Sequence, residues 1–285
     1  MENLTSKQKG VLFMCMNALL FSGMQIAIRL TGGTIPLMEQ VFFRNLVGVI
    51  INFCIIKKTK GVMFGEKTQQ PLLFARSITG MLGLVTMFYA SSRALQADVA
   101  IMTRLSPFLV TLWAFIFLKE KIAKVQIPAL IIAFAGAALV VNPAFNSDLF
   151  PLFIAFLSSV FASVAFTLLA YSKDKAGPLT VVMHFSAFCV IISLPFLYFD
   201  FVIPCVKDAL LLILMGALGG FGQIALTYAY RMAPASEVSI YNYSGILFSG
   251  CLAYFILGET ISLASFAGGC LVVAASYLVY RFTNS

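Results

Sequence analysis

The chain of 285 residues is 61% hydrophobic and only 11% charged, whereas a soluble globular domain carries about 25% charged residues. So few charges cannot build a water-facing surface, so the net charge of +8 is read first against membrane topology and not as a nucleic-acid footprint. At roughly 20 residues per membrane-crossing helix plus short loops, the length admits about ten spans and little else.

The polar, basic start MENLTSKQKG leads into an apolar run at 11–30 with no small-residue cleavage pattern, which reads as an uncleaved first span. Further apolar runs follow at 36–56, 71–92, 97–118, 124–142, 149–171, 178–199, 208–230, 236–257 and 262–281. Pro36, Pro71, Pro151 and Pro178 stand at the starts of four of these runs, where a missing N–H costs nothing. The fold class expected is therefore all-α: ten transmembrane helices.

Cation placement sets the orientation. With both termini inside, 13 of the 19 Lys and Arg fall in cytoplasmic segments, and three (Arg29, Arg93, Lys207) fall on the other side. The remaining three, Arg44, Arg76 and Arg104, lie within spans. The six cysteines form no C-x-x-C pair and read as packing residues.

Shifting the chain by 139 residues aligns Tyr89 with Tyr228, Asp98 with Glu237, Glu120 with Glu259, and Gly80 and Gly83 with Gly219 and Gly222. Matched acids at both ends of a span are hard to obtain by chance between two apolar sequences. The halves are 1–145 and 146–285. Because each holds an odd number of spans, the two sit upside down to each other, as in many secondary transporters.

Several short strings add a family likeness. They are Pro36 to Arg44 (P-x-x-x-x-x-F-F-R), A-D-V-A at 97–100, L-S-P at 105–107 and F-L-K-E-K-I at 117–122. The second half has S-E-V-S at 236–239 and L-G-E-T-I at 257–261. In order and spacing the chain resembles the EamA branch of the drug/metabolite transporter superfamily. That resemblance implies two inverted five-helix repeats with both termini cytoplasmic, in the bacterial inner (plasma) membrane. It also implies a cavity lined by helices 1 to 4 and 6 to 9, with helices 5 and 10 peripheral and available for pairing into a homodimer. The sequence departs from the pattern where Gly245-Ile246 stands opposite Ser106-Pro107 and where Gln126-Ile127-Pro128 replaces a more usual glycine.

A charge at the bilayer centre costs about 2.5 to 3.5 kcal/mol on insertion scales. Arg104 lies six residues past Asp98, about 9 Å along a helix, and Arg44 lies eight past Pro36, about 12 Å. Both helices enter from the same side, so the two guanidiniums reach similar depths. None of the 11 acids lies mid-span. Unpaired buried cations need solvent, backbone carbonyls or an anionic ligand. Arg44 and Arg104 are therefore candidate substrate-binding residues facing a shared chamber. The stripes Gln40-Arg44-Gly48 and Ala97-Ala100-Arg104-Pro107-Thr111 carry the small and polar neighbours of a cavity wall.

Pro107 cannot donate its N–H, which frees the Thr103 carbonyl and predicts a bend beside Arg104. Tyr243 occupies the repeat position of Arg104 and, with Asn242, joins the candidate binding set. Tyr89 and Tyr228 read either as ligand contacts or as interfacial belt residues. Gln25 and Gln223 either line the cavity or bridge helices. His184 reads either as a proton-coupling group or as a satisfied core histidine.

With one histidine, no H-E-x-x-H and no G-x-S-x-G, the sequence gives an enzyme little to build with. The string Gly216 to Gly222 has no strand before it and no G-K-[ST] after it, so it reads as close helix packing and calls for no cofactor; nor does any metal set appear. The expected function is a secondary carrier for a small solute bearing an anionic group, such as an amino acid or related carboxylate, working by alternating access. The other carrier reading is export of lipophilic or quaternary cations through aromatic contacts. Small multidrug carriers use a glutamate deep in the first span, and 11–30 contains no acid.

Overall fold

The computed structural model describes all residues except 1–3, 32–34, 94–95, 142–147, 259–262 and 284–285, and side chains except those of 29, 88, 91, 92, 96–98, 140, 141, 265 and 283 within helices. The repeat-matched acids Asp98 and Glu259 lie outside the described side chains, as does Arg29.

Helices α1 (Ser6–Leu30), α2 (Leu37–Thr59) and α3 (Gln70–Arg93) follow the first three apolar runs. The fourth run is split into α4 (Gln96–Thr103) and α5 (Ser106–Phe117), and α6 is Gln126–Val141. The second half continues with α7 (Leu149–Tyr171), α8 (Pro178–Asp200) and α9 (Val206–Met232). Its fourth run is split into the short α10 (Ala235–Val238), a 3-10 stretch Ser239–Tyr243 and α11 (Ser244–Leu257), and α12 (Leu263–Thr283) ends the chain. Among the described residues, seven helical stretches are long and apolar enough to cross a membrane, counting each split pair as one stretch. The shorter apolar helices Gln126–Leu139 and Phe266–Phe282, together with α3, bring the total to ten.

Local chemistry explains the boundaries. Pro36 precedes α2 at φ −55°, as its ring requires, and Pro178 opens α8, where a missing N–H leaves no helical bond unmade. Gly258, at φ 69°, closes α11 in the left-handed region that glycine enters without strain.

The bend expected at Pro107 is a full break. Phe108 N–H turns to Leu105 O at 3.1 Å, so the Arg104 carbonyl loses its helical donor in addition to the Thr103 carbonyl released by proline. The second break, at Ser239–Tyr243, has no proline and was not expected from the apolar run. Hydroxyls compete with the backbone there: Ser239 donates to Ser236 O at 3.3 Å and Ser244 to Tyr241 O at 2.6 Å.

The helices pack in pairs across the halves: α1 on α9, α3 on α7, α2 on α8 and α9, and α6 on α12. Glycine allows the closest approaches. A Cβ at Gly136 would lie 2.6 Å from Gly268 O, which seats α6 directly on the α12 backbone. The largest apolar core runs from Val110 and Ala133 through Leu226 and Ile240 to Val272, gathering both breaks with α6 and α12. Apolar side chains such as Leu149, Phe199, Phe255 and Leu263 face outward, where a bilayer takes the place of a core.

The two ends of the chain meet. Gln8 Nε2 donates to Tyr280 OH at 3.3 Å, Ser6 Oγ to Met232 O at 2.8 Å, and Lys7 pairs with Glu237 at 3.2 Å. Glu120 adds a clamp at the same end. Its carboxylate accepts Ala235 N–H at 2.9 Å, Ser236 N–H at 3.0 Å and Ser236 Oγ–H at 2.6 Å. Gly10 sits so close to Ala233 that an added Cβ would approach its side chain to 2.7 Å. Arg231 donates to Ser172 O and Lys173 O, tying down the α7–α8 turn. The bundle is therefore laced shut at the end bearing the termini.

Candidate functional site

A chamber of about 200 Å³ opens between α1, α3, α7 and the two helix breaks. From α1 it is lined by Phe21, Ser22 and Gln25, from α3 by Gly83 and Met87, and from α7 by Ser158, Ser159 and Ala162. The breaks contribute Thr103, Arg104, Ser106, Asn242 and Gly245. Broken helices put backbone and polar side chains at membrane depth only where they line such a space.

Among the described residues, Arg104 brings the only formal charge to this lining. Its guanidinium has no hydrogen-bond acceptor among the described residues, and its Nε is buried without a partner. The neighbouring hydroxyls are polarised the other way. Ser22, Thr103, Ser158 and Ser159 each donate to a helix carbonyl (Ala18, Ala100, Ala155 and Phe156) at 2.7 to 2.8 Å. Their hydrogens are thus committed and their lone pairs remain available. The chamber offers a fixed cation on one wall, acceptor oxygens on others, and the amides of Gln25 and Asn242.

Of the residues singled out from sequence, Arg104, Asn242 and Gln25 meet in this chamber. Arg44 lies beside it. The Arg44 guanidinium rests 5.4 Å from the ring centroid of Phe21, which lines the chamber, and it lines a separate slot of about 10 Å³. Gln223 lines that slot too, with its Nε2 unpartnered, so neither glutamine is explained by helix bridging alone.

The remaining candidates serve elsewhere. Tyr243 is fully buried, and its hydroxyl donates to Arg104 O at 2.7 Å, taking up the carbonyl freed by the break. Gln40 Nε2 donates to Ile35 O at 2.8 Å and bridges into its own helix start. Tyr89 is exposed at the end of α3, edge-on to Phe150 and beneath Arg93, as an interfacial residue would be. Tyr228 stacks on Phe13 at 5.3 Å. His184 is buried, 2.8 Å from Ser77 Oγ through Nδ1 and edge-on to Phe74, and lines neither space.

One residue escaped sequence reasoning. Arg76 was counted as a span cation and given no role. It is buried, its guanidinium lies over the Phe185 ring at 4.3 Å, and its Nε and Nη1 have no partner among the described residues. The available signal was Gly80, one turn further along α3: a Cβ there would lie 2.2 Å from Arg76 Nη1.

Comparison with known proteins agrees with this architecture. A solved crystal structure superposes with a TM-score of 0.86 over 96% of both chains at 15% identity, which shows the fold. The pseudopaline exporter CntI of Pseudomonas aeruginosa is 29% identical over 276 residues, covering 96% of each chain. Solute carrier family 35 member G1 of Mus musculus is 28% identical, covering 94% of this chain and 76% of that protein. The S-adenosylmethionine uptake transporter of Rickettsia bellii is 22% identical, covering 85% and 83%. All three are transporters by name, and the relatives are transporters and not enzymes. The EamA-like transporter family profile matches twice, at residues 8–142 and 149–281, and with both halves matched the chain belongs to the EamA-like transporter family, as a multi-pass membrane carrier of small metabolites in the drug/metabolite transporter superfamily.

Proposed function

We propose that the protein carries a small zwitterionic or carboxylate-bearing solute, of amino-acid size, by alternating access between two inverted five-helix halves. The observation that carries this reading is Arg104: an unpartnered guanidinium in a chamber whose serine and threonine hydroxyls present lone pairs. A carboxylate would pair with Arg104, and an ammonium would accept the company of Ser158, Ser159 and Thr103. The volume of about 200 Å³ is below the roughly 300 to 1,000 Å³ of drug-sized sites. That favours a compact solute over a lipophilic drug, and a fixed cation in the wall repels the quaternary cations of the other carrier reading.

The inverted arrangement draws support from the helix pairing. Exchanging the halves turns α1 on α9 into α7 on α3, and leaves α2 on α8 and α6 on α12 unchanged. Termini on the cytoplasmic side draw support from the cation count of 13 against 3. Under that orientation the Glu120 clamp closes the cytoplasmic mouth, and the chamber belongs to a state facing the other side or occluded. Arg44, behind Phe21, adds positive potential to the same region. The mutual packing of α6 and α12 leaves only their outward faces for pairing with a second copy.

Uptake in proteoliposomes tests the reading. Arg104→Ala should abolish saturable transport while the purified protein keeps its thermal unfolding midpoint. Transport at the wild-type rate would refute it.

A further inference from the structure

Beside the chamber, α2, α8 and α9 enclose a slot of about 10 Å³, lined by Arg44, Asn45, Gly48, Phe185, Ser186, Gly219, Gly220 and Gln223. That is room for one water-sized particle and no organic group. Beside the oxygens of Asn45 and Ser186, the lining presents two donor groups. Arg44 brings a guanidinium to the lining, and Gln223 Nε2, on a residue only 6% exposed, has no partner among the described residues. The Asn45 amide nitrogen is already committed to Val41 O at 2.8 Å. Phe185, which lines the slot, also carries Arg76 on its ring at 4.3 Å, with the Nε and Nη1 of that 3% exposed residue unpartnered.

Both arginines are seated by design of the backbone. A Cβ at Gly219 would lie 2.9 Å from Arg44 Nε, and one at Gly80 would lie 2.2 Å from Arg76 Nη1. These two glycines align with each other under the 139-residue shift, so each half supplies one seat for a guanidinium. One lining cation and an amide donor around a space of one atom, with a second cation on the Phe185 ring, are not balanced by water, which brings no charge. A monatomic anion supplies both the acceptor and the charge.

We infer that the slot between Arg44 and Gln223, under the field of Arg76, is a structural binding site for a halide-sized anion, chloride in a cell. It is separate from the chamber and independent of which solute the chamber holds. A bound anion would join α2 to α8 and α9, stabilising the folded bundle in proportion to its occupancy.

Chloride itself is the probe. Thermal unfolding of the purified full chain in detergent is measured in sodium chloride, bromide and gluconate at fixed ionic strength. The midpoint should rise saturably with chloride and bromide and stay flat with gluconate. The rise should vanish in Arg44→Gln and in Gln223→Leu, and persist in Arg104→Gln. Because the arginine variants could fail to fold, crystals of the unaltered protein grown in bromide give a second readout: an anomalous peak between Arg44 and Gln223. Equal midpoints in chloride and gluconate without a bromide peak, meaning water only, would overturn the assignment. So would a halide response that disappears with Arg104→Gln, which would place the anion in the chamber.

Discussion

The Tyr243 hydroxyl donates a hydrogen bond to the backbone carbonyl of Arg104 at 2.7 Å, joining two residues that stand 139 positions apart and align with each other in the repeat. The side chain from one break caps the orphaned carbonyl of the other. A buried carbonyl left unpaired costs about 1 to 3 kcal/mol, whereas bonds between membrane helices contribute about 0.6 kcal/mol on average. Tyr243→Phe should therefore destabilise by about 1 kcal/mol in reversible unfolding. Because the hydroxyl does not line the chamber, maximal transport rate should fall more than apparent solute affinity.

Glu120 holds the start of α10 with three hydrogen bonds from Ala235 and Ser236. Charge-assisted bonds of this kind are worth about 1.5 to 3 kcal/mol each. In Glu120→Ala, hydrogen exchange at the Ala235 and Ser236 amides should accelerate by about 10-fold or more, at 1.4 kcal/mol per factor of ten. Exchange within α7 should be unaffected. Unchanged protection at 235–236 would mean that packing alone closes this end.

Two glycines in helices should respond oppositely to alanine. Gly222 faces Phe21, and an added Cβ would lie 2.6 Å from its Cδ1, whereas nothing stands within 4 Å of Gly250. Alanine is favoured over glycine in a helix by about 1 kcal/mol, but overpacking costs about 1 to 3 kcal/mol. Gly250→Ala should raise the unfolding midpoint and Gly222→Ala should lower it. Gly222→Ala should also weaken solute binding, since the displaced Phe21 ring lines the chamber.

His184 is buried, bonded to Ser77 and not part of the chamber lining. His184→Gln should therefore leave the pH profile of transport unchanged between pH 5.5 and 8 while lowering stability by roughly 1 kcal/mol. A flattened profile would restore the proton-coupling role.

The spans were legible because length and hydropathy alone dictate them: α7 and α8 lie within a residue of the runs read at 149–171 and 178–199. The break at Arg104 was legible from Pro107, since proline removes a donor wherever it sits. The second break was not, because Ser239 to Tyr243 leaves the α-helix through side-chain competition, with α1 in contact at its end where Ser22 Oγ lies 3.0 Å from Gly245 O. Helical phase put Arg104 on a stripe of small and polar residues, and Arg104 lines the chamber. It could not separate Arg44 from that chamber, because the division is made by the Phe21 ring on another helix. Arg76 went unnoticed for a similar reason: its seat depends on Phe185, across a helix interface.

The crossing of the two breaks constrains how the carrier can run. Since the donor of one half is spent on the acceptor of the other, neither discontinuous helix can straighten or tilt alone without stranding a polar atom in a dry place. The gates on the two faces are then geared together, and a leak, with both mouths ajar at once, is disfavoured by the same bond that lets the halves trade positions.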